Sequence, residues 1–253
     1  METTLTFAPG APHRDVRLEG VSLDSRRVLP GDLYAALPGA NAHGAQFARQ
    51  AWQAGAVAVL TDPAGETLLR EAEIPLPRIV VPDSRAVLGM LSALVYGRPA
   101  EDLMLVGITG TNGKTTTAYI LDAAWRALGR TTGLIGTIEI KVGERSLPSE
   151  RTTPEACDLH AMFAVMREQG VTEAVMEVSS HALALHRVDG VVFDVAIFTN
   201  LSQDHLDFHS DMEHYFAAKA SLLTPQRSRR GIICVDDAWG ERLAGQAQVP
   251  CWS

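Results

Sequence analysis

Apolar residues along this chain come in short runs, separated by polar turns and by longer stretches in which they recur at helical spacing. Between residues 16 and 95 the runs are brief. Asp32-Leu33-Tyr34-Ala35-Ala36-Leu37 stops at Pro38-Gly39, a helical stretch spans Ala45 to Ala54, and Ala56 to Leu60 reads as a strand. A further strand, Arg78-Ile79-Val80-Val81, ends at Pro82, and a helix from Ser84 to Tyr96 runs into the stop signal Gly97-Arg98-Pro99. This predicts a small α/β unit with a boundary near residue 98. Beyond it, strands at about 103–108, 133–140, 172–178, 194–199 and 231–235 alternate with helices at about 115–128, 154–169 and 211–223. Alternation of near-continuous apolar strands with helices predicts a mainly parallel sheet covered on both faces. In the first of these helices Ile120, Leu121, Ala124 and Leu128 form one apolar face.

Where the strand ending at Ile108 feeds that helix, the chain reads Gly107-Ile108-Thr109-Gly110-Thr111-Asn112-Gly113-Lys114-Thr115-Thr116. Glycines let backbone N–H groups turn inward around phosphate oxygens, and the helix dipole adds partial positive charge. Lys114 supplies a full charge, and the Thr115 hydroxyl can ligate magnesium. The spacing is G-x-x-G-x-x-G-K-T with Gly107 as its first glycine, rather than the common form, which would need glycine at Ile108. The segment predicts handling of a nucleoside triphosphate.

With 253 residues, 46% of them hydrophobic, the chain is long enough for two domains. Twenty-two basic against 30 acidic residues give a net charge of −8, which argues against a general nucleic-acid or anionic-membrane surface, so anion binding must be local. Cys157, Cys234 and Cys251 lack metal-ligand spacing and read as reduced thiols. Asp15, Glu19 and Asp24 stand where a signal peptide would need an apolar core, and no run approaches the roughly 18 residues that span a bilayer. A soluble, cytoplasmic protein is expected.

Three further clusters fall near predicted strand ends, where ligands bind in open α/β sheets. In Val175-Met176-Glu177-Val178-Ser179-Ser180-His181 one acid interrupts an apolar strand. A buried carboxylate must pair or bind a cation, so Glu177 is either a magnesium ligand or a capping or salt-bridged glutamate. Ser179, Ser180 and His181 lack a nucleophile elbow and do not read as a hydrolase triad. The segment Phe198-Thr199-Asn200-Leu201-Ser202-Gln203-Asp204-His205-Leu206-Asp207-Phe208-His209 concentrates Asn, Asp and His, and His205 is either a metal ligand or merely hydrogen-bonded. Lys219 lies on an otherwise apolar helix face with Tyr215 one turn before it; such a lysine ordinarily snorkels to solvent.

Taken together these residues resemble the Mur ligases of the MurE type, UDP-N-acetylmuramoyl-tripeptide synthetases of bacterial peptidoglycan synthesis. The resemblance runs over nearly the whole chain. It includes Asp24-Ser25-Arg26, Gly31-Asp32-Leu33, Asn41-Ala42-His43-Gly44, Gly110 to Thr116, Thr152-Thr153-Pro154, Glu177 to His181, Arg187-Val188, Thr199 to Asp207 and Met212 to Lys219. It implies that residues 1–98 form a domain for the uridine nucleotide, with Leu23, Ser25, Asn41, Ala42 and His43 at contacting positions. Residues 99–253 would be part of the central domain, binding ATP through Gly110, Thr111, Asn112, Gly113, Lys114, Thr115 and Thr116. Thr152, Thr153, Ser179 and Arg187 match positions that contact the muramoyl-dipeptide and its phosphates. Thr115, Glu177 and His205 match metal ligands, and Lys219 matches a lysine carried as its carbamate. Arg151 stands where the family often has asparagine.

The implied reaction is ATP-dependent ligation. A γ-phosphoryl group passes to the free carboxylate of UDP-N-acetylmuramoyl-L-alanyl-D-glutamate, and the amine of meso-diaminopimelate, lysine or ornithine then displaces phosphate to form an amide. Lys114, Glu177, His205 and Lys219 would carry the chemistry with ATP and Mg2+ as cofactors, in a monomer without nucleic-acid or membrane partners. Nothing matches the family's C-terminal domain, so a truncated central domain and an inactive fragment are expected. The alternatives are a sister ligase of the MurF or folylpolyglutamate synthetase type, or a nucleotide-binding module alone.

Overall fold

The computed structural model describes residues 5–6 and 16–253; Asp15 lies outside the described residues. The chain divides into two compact units, Met1–Gly97 and Arg98–Ser253.

The first unit carries β1 (Leu5–Thr6), β2 (Gly20–Ser22), β3 (Asp32–Ala35), α1 (Ala48–Ala54), β4 (Ala58–Thr61), α2 (Pro63–Glu71), β5 (Arg78–Val80) and α3 (Ser84–Val95). Its sheet runs β1-β5-β4-β3-β2, parallel except for β1. Tyr34 and Val59 pack with Ala45, Ala48, Ala51 and Leu69 from the helical segments and with Ile74 from the connection after α2. The predicted helix over 45–54 is a 3-10 turn, Gly44–Phe47, followed by α1. Helix α2 escaped the sequence reading. Asp62 caps it by accepting from Gly65 N–H at 2.7 Å, with Pro63 at its first position, a start signal that the polar composition of the helix masks.

The second unit carries β6 (Met104–Thr109), α4 (Lys114–Ala127), β7 (Thr132–Ile135), β8 (Glu139–Val142), β9 (Arg145–Pro148), α5 (Ala156–Glu168), β10 (Glu173–Glu177), α6 (Ser180–Ala184), β11 (Val195–Phe198), α7 (Met212–Ala220), β12 (Gly231–Ile233), α8 (Ala238–Gln246) and β13 (Cys251–Trp252). The strand order is β13-β12-β11-β6-β10-β7-β8-β9, parallel as far as β7 and antiparallel thereafter. Both faces are covered. Val106, Ile108, Leu134 and Val175 meet α4. Leu105, Ala174, Met176, Ala196 and Phe198 point the other way, into a core shared with Phe163, Phe193, Tyr215 and Phe216. This is the mixed α/β fold, mainly parallel, that the alternation predicts.

Three expectations are corrected. The strand expected over 133–140 is two strands: the chain breaks after Ile135 and returns antiparallel as β8, because Thr137 N–H turns aside to donate to Glu177 Oε1 at 2.9 Å. Gly107 is not a loop glycine. It lies inside β6, where a Cβ would come within 2.9 Å of the Phe193 ring, so it serves sheet packing. The apolar face of α4 is also rotated. Ile120 is 63% and Leu128 75% exposed, while Ala118 and Asp122 are buried and Tyr119, Leu121 and Trp125 pack on the sheet. Asp122 is drawn inward by partners: it accepts from Thr132 Oγ1 at 2.5 Å and from Arg126 Nε at 3.2 Å, and Lys141 Nζ lies 3.5 Å away. Asp122→Ala would leave the buried Thr132 hydroxyl proton without its acceptor, although Arg126 Nε still donates to that oxygen at 3.1 Å, and is expected to lower unfolding free energy by about 2 kcal/mol. Ile120→Ala should change it by less than about 0.5 kcal/mol. Urea denaturation of both variants would show the reverse order if the apolar face lay where the spacing put it.

Candidate active site

The C-terminal ends of β6, β10 and β11 lie side by side, with β10 and β11 on opposite flanks of β6, so the segments leaving them diverge and open a crevice. Beyond β6 the loop from Gly110 to Gly113 enters α4. Gly110 holds φ +146°, and a Cβ there would fall 1.9 Å from Thr199 Oγ1, so only glycine fits. Gly113, at φ +83°, precedes α4 without a side-chain cap, leaving the first-turn N–H groups of a 14-residue helix to face the crevice.

Not every loop amide is turned inward. Thr111 N–H donates to Asn200 O at 3.0 Å and Asn112 N–H to Asn200 Oδ1 at 3.0 Å. Thr199 Oγ1 and Asn200 Nδ2 both donate to Asn112 O, at 2.7 and 3.1 Å. The Thr-Asn pair at the end of β11 thus clamps the loop from Gly110 to Gly113. The sequence alone shows the pair near a strand end but carries no sign of that role. Tyr215 was equally unassigned. Fully buried, it places its hydroxyl 3.1 Å from Thr111 Oγ1 and its ring face 4.7 Å from Lys219 Nζ.

Glu177, at the end of β10, is 1% exposed and has no cationic partner within ion-pair distance among the described residues. Thr115 Oγ1 sits 2.9 Å from both carboxylate oxygens, Thr137 N–H donates to Oε1, and Thr137 Oγ1 donates to Oε2 at 3.1 Å. The salt-bridged and capping alternatives for Glu177 therefore do not hold. Thr137 was missed by sequence reasoning; its only signal was Gly136 interrupting an apolar run.

Lys114 donates to Gly110 O and Thr111 O, both at 2.9 Å, and burial lowers its pKa. Lys219 is 1% exposed and donates to Gly110 O at 2.8 Å. It does not snorkel. Burial foremost, and then the nearby Lys114 charge, bring its pKa down to about 7. Two lysines thus share one carbonyl. His205 is half exposed, and its ring lies 4.9 Å from that of His181, whose pKa burial and His205 both lower. His209 is buried with neither ring nitrogen hydrogen-bonded, and burial holds its pKa near 4.

Thr111, Asn112, Gly113, Lys114 and Thr115 line a cavity of about 430 Å³ together with Thr137, Thr152, Thr153, Glu177, Ser179, His181, Arg187 and His205. Thr153 Oγ1 donates to Glu177 O at 2.9 Å and accepts from Ser179 N–H at 3.1 Å, joining these segments behind the wall. Of the anticipated site residues in this unit, Gly110, Thr116 and Lys219 do not line the cavity.

In the first unit Ser25 is buried and donates to Gln50 Oε1 at 2.8 Å. His43 accepts from Ala45 N–H at Nδ1, which leaves Nε2 to donate to Asp62 Oδ1 at 3.1 Å, so both ring nitrogens are engaged. Leu23 and Ala42 are half-buried, and Asn41 is exposed.

Thr115 and Glu177 offer adjacent hard oxygens, which suit a magnesium ion that keeps waters and phosphate oxygens as its other ligands. Among the described residues no three His, Cys, Asp or Glu side chains gather to hold a metal unaided. A second cation fits only in part, because His205 faces the cavity while Lys219 Nζ is turned to Gly110 O.

The model of the Mur ligase middle domain matches residues 108–252, and that of the Mur ligase family, catalytic domain, matches residues 17–96. The chain belongs to the Mur ligase family. It is 59% identical over 239 residues to a UDP-N-acetylmuramoyl-L-alanyl-D-glutamate--2,6-diaminopimelate ligase of Streptomyces avermitilis, covering 94% of this chain and 47% of that protein. A protein of the same name from Corynebacterium glutamicum is 50% identical over 247 residues, covering 95% and 48%. A solved structure of a ligase so named superposes with a TM-score of 0.74 at 26% identity, over 98% of this chain and 52% of that one. The chain spans about half the length of the curated relatives it matches. No helix among the described residues is long and apolar enough to cross a membrane.

Proposed function

We propose that this chain is the nucleotide- and muramoyl-binding part of a MurE-type ligase, which joins 2,6-diaminopimelate to UDP-N-acetylmuramoyl-L-alanyl-D-glutamate at the expense of ATP. The observation that carries the reading is one cavity holding both kinds of residue. Lys114 and Thr115 come from the phosphate loop, Thr152, Thr153, Ser179 and Arg187 are offered to the acceptor, and the buried Glu177 lies between them. The names of relatives at 50–59% identity support the substrates.

The chemical difficulty is electrostatic. Two unit charges ~4 Å apart repel by roughly 4 kcal/mol at an effective dielectric near 20, and a carboxylate must approach a triphosphate. Lys114 offsets phosphate charge once it exchanges its two loop carbonyls for phosphate oxygens, and the N-terminus of α4 adds its dipole. Arg187 and the threonines orient the acceptor. Thr115 and Glu177 would hold Mg2+, which screens charge on the transferring phosphoryl group. His205 and a carbamate on Lys219 are proposed for a second ion; carbamylation would turn a repelling ammonium into an oxygen donor.

Calorimetry should show that the chain binds magnesium-ATP and UDP-muramoyl-dipeptide. Failure to bind either nucleotide would overturn the proposal. Ser25 is proposed to contact the uridine nucleotide: its hydroxyl donates to Gln50 and keeps lone pairs to accept with. Ser25→Ala is expected to weaken UDP-muramoyl-dipeptide binding about fivefold, the equivalent of one hydrogen bond, while leaving ATP affinity unchanged.

A further inference from the structure

Arg187 brings a guanidinium to the cavity wall with only 14% of its side chain exposed. Its Nε lies 3.0 Å from Glu155 Oε1, and that same oxygen accepts a hydrogen bond from Arg151 Nη1 at 2.8 Å. Neither Glu155 nor Arg151 lines the cavity. Glu155 is fixed in place as the residue that opens α5, a helix anchored by the buried Leu159, Phe163 and Met166. Arg151 stands four residues earlier, so Thr152 and Thr153, which do line the cavity, lie between the two partners.

The charges of this trio add up in a particular way. Arg187 paired with Glu155 alone is neutral as seen from the cavity, and a phosphate or carboxylate arriving there would meet an arginine already satisfied. Arg151 on the same carboxylate makes the trio net positive. The Arg151–Glu155 contact, with 54% of the Arg151 side chain exposed, contributes little to stability, so a role in folding does not account for Arg151.

We infer that Glu155 is a positioning residue that holds Arg187 at the cavity wall, and that Arg151, by sharing the Glu155 carboxylate, keeps this end of the cavity net positive for an oxyanion of the substrate. The inference rests on the reading of the cavity as a muramoyl-nucleotide site. The oxyanion is a phosphate or a carboxylate, and Arg151 acts on it through Glu155 rather than by touching it.

The test is a mutant cycle read by calorimetry with UDP-muramoyl-dipeptide. Arg151→Asn is expected to weaken binding about tenfold at low salt, and the loss should fall to under about threefold at high salt. Arg151→Lys should retain most of the affinity. In a Glu155→Gln background, where no carboxylate charge remains to be offset, Arg151→Asn should cost less than about twofold. Magnesium-ADP affinity, which reports the loop, should stay unchanged throughout, and the thermal midpoint should stay unchanged on each Arg151 substitution, whereas Glu155→Gln, which leaves the shielded Arg187 unpaired, is expected to lower it.

An equal loss in both backgrounds would mean that Arg151 acts on the ligand directly, by contact or by its own field, rather than through Glu155, and no loss in either would mean that Arg151 has no bearing on binding; each overturns the inference while leaving the site reading intact. Absence of UDP-muramoyl-dipeptide binding by the unmutated chain would overturn both. UDP-N-acetylmuramate, which lacks the dipeptide, locates the oxyanion. The same loss with it places the group on the uridine diphosphate–muramate portion, and a loss confined to the dipeptide ligand places it on a peptide carboxylate.

Discussion

Replacing Lys114 by alanine is expected to weaken magnesium-ATP binding by about a hundredfold or more, equivalent to about 3 kcal/mol, while moving the thermal midpoint by no more than a couple of degrees. The asymmetry follows from where the side chain sits. Its ammonium is partly buried, burial lowers its pKa, and its hydrogen bonds go to Gly110 O and Thr111 O at the rim of the cavity. Those carbonyls can turn to water when the lysine is gone. The loop itself is held from elsewhere, by Thr199 and Asn200 on Asn112 and by Tyr215 on Thr111, so its shape survives the substitution. A triphosphate has no such substitute for the missing charge. Calorimetry with ATP and magnesium on the unmutated and Lys114→Ala chains checks this, with UDP-muramoyl-dipeptide as control because Ser25 and His43 belong to the other compact unit. Near-normal ATP affinity in the variant would mean that the loop binds something other than a polyphosphate.

The parts of the fold that were legible in the sequence are those where one local rule acted alone. The run Leu103 to Ile108 has no competing pattern and becomes β6, shifted by one residue to Met104–Thr109 and buried from Leu105 onward. The stop at Gly97-Arg98-Pro99 coincides with the division between the compact units. The failures lie where a distant partner outweighs local preference. Spacing put Ile120 and Leu128 on the packed face of α4, but Asp122 is recruited inward by Thr132, Arg126 and Lys141, and the helix turns to bury it. An isolated helix carries no trace of those partners. The same holds for the break after Ile135, which exists because Thr137 is needed against Glu177, a residue 40 positions later.

The candidate site shows a similar division. Lys114, Thr115 and Glu177 announced themselves through residue type in an unlikely place, charge or hydroxyl beside apolar strand ends, and they meet in the cavity. Thr137, Tyr215 and the Thr199-Asn200 clamp carry ordinary residue types in ordinary positions, and only the three-dimensional arrangement gives them work. Arg151 was visible as a departure from a family pattern, but its partner Glu155 was not.

Lys219 offers the sharpest physical test, since a buried ammonium is a liability that its own titration reveals. Its pKa in the folded chain is about 7, against an ordinary value of 10.5. Below pH 7 both folded and unfolded states hold the proton, and the folded state bears the whole penalty of the buried charge. Between about 7 and 10.5 the unfolded chain binds a proton that the folded chain does not, so stability rises with pH across that window. Lys219→Met removes the charge at similar side-chain length and gives up one hydrogen bond, to Gly110 O, which Lys114 continues to satisfy. In buffer free of metal and bicarbonate the variant is therefore expected to be more stable than the unmutated chain at pH 6. That advantage should shrink by roughly 2–3 kcal/mol on going to pH 9, at about 1.4 kcal/mol per unit. Urea unfolding at the two pH values measures it. The same neutral amine is what carbon dioxide requires, so 13C-bicarbonate should give a carbamate resonance that grows in through neutral pH and is absent from Lys219→Met. A variant no more stable at pH 6 than at pH 9, relative to the unmutated chain, would mean that Lys219 keeps its proton throughout; the carbamate resonance should then appear only near pH 10, and the proposed second magnesium ion would lose its oxygen ligand at physiological pH.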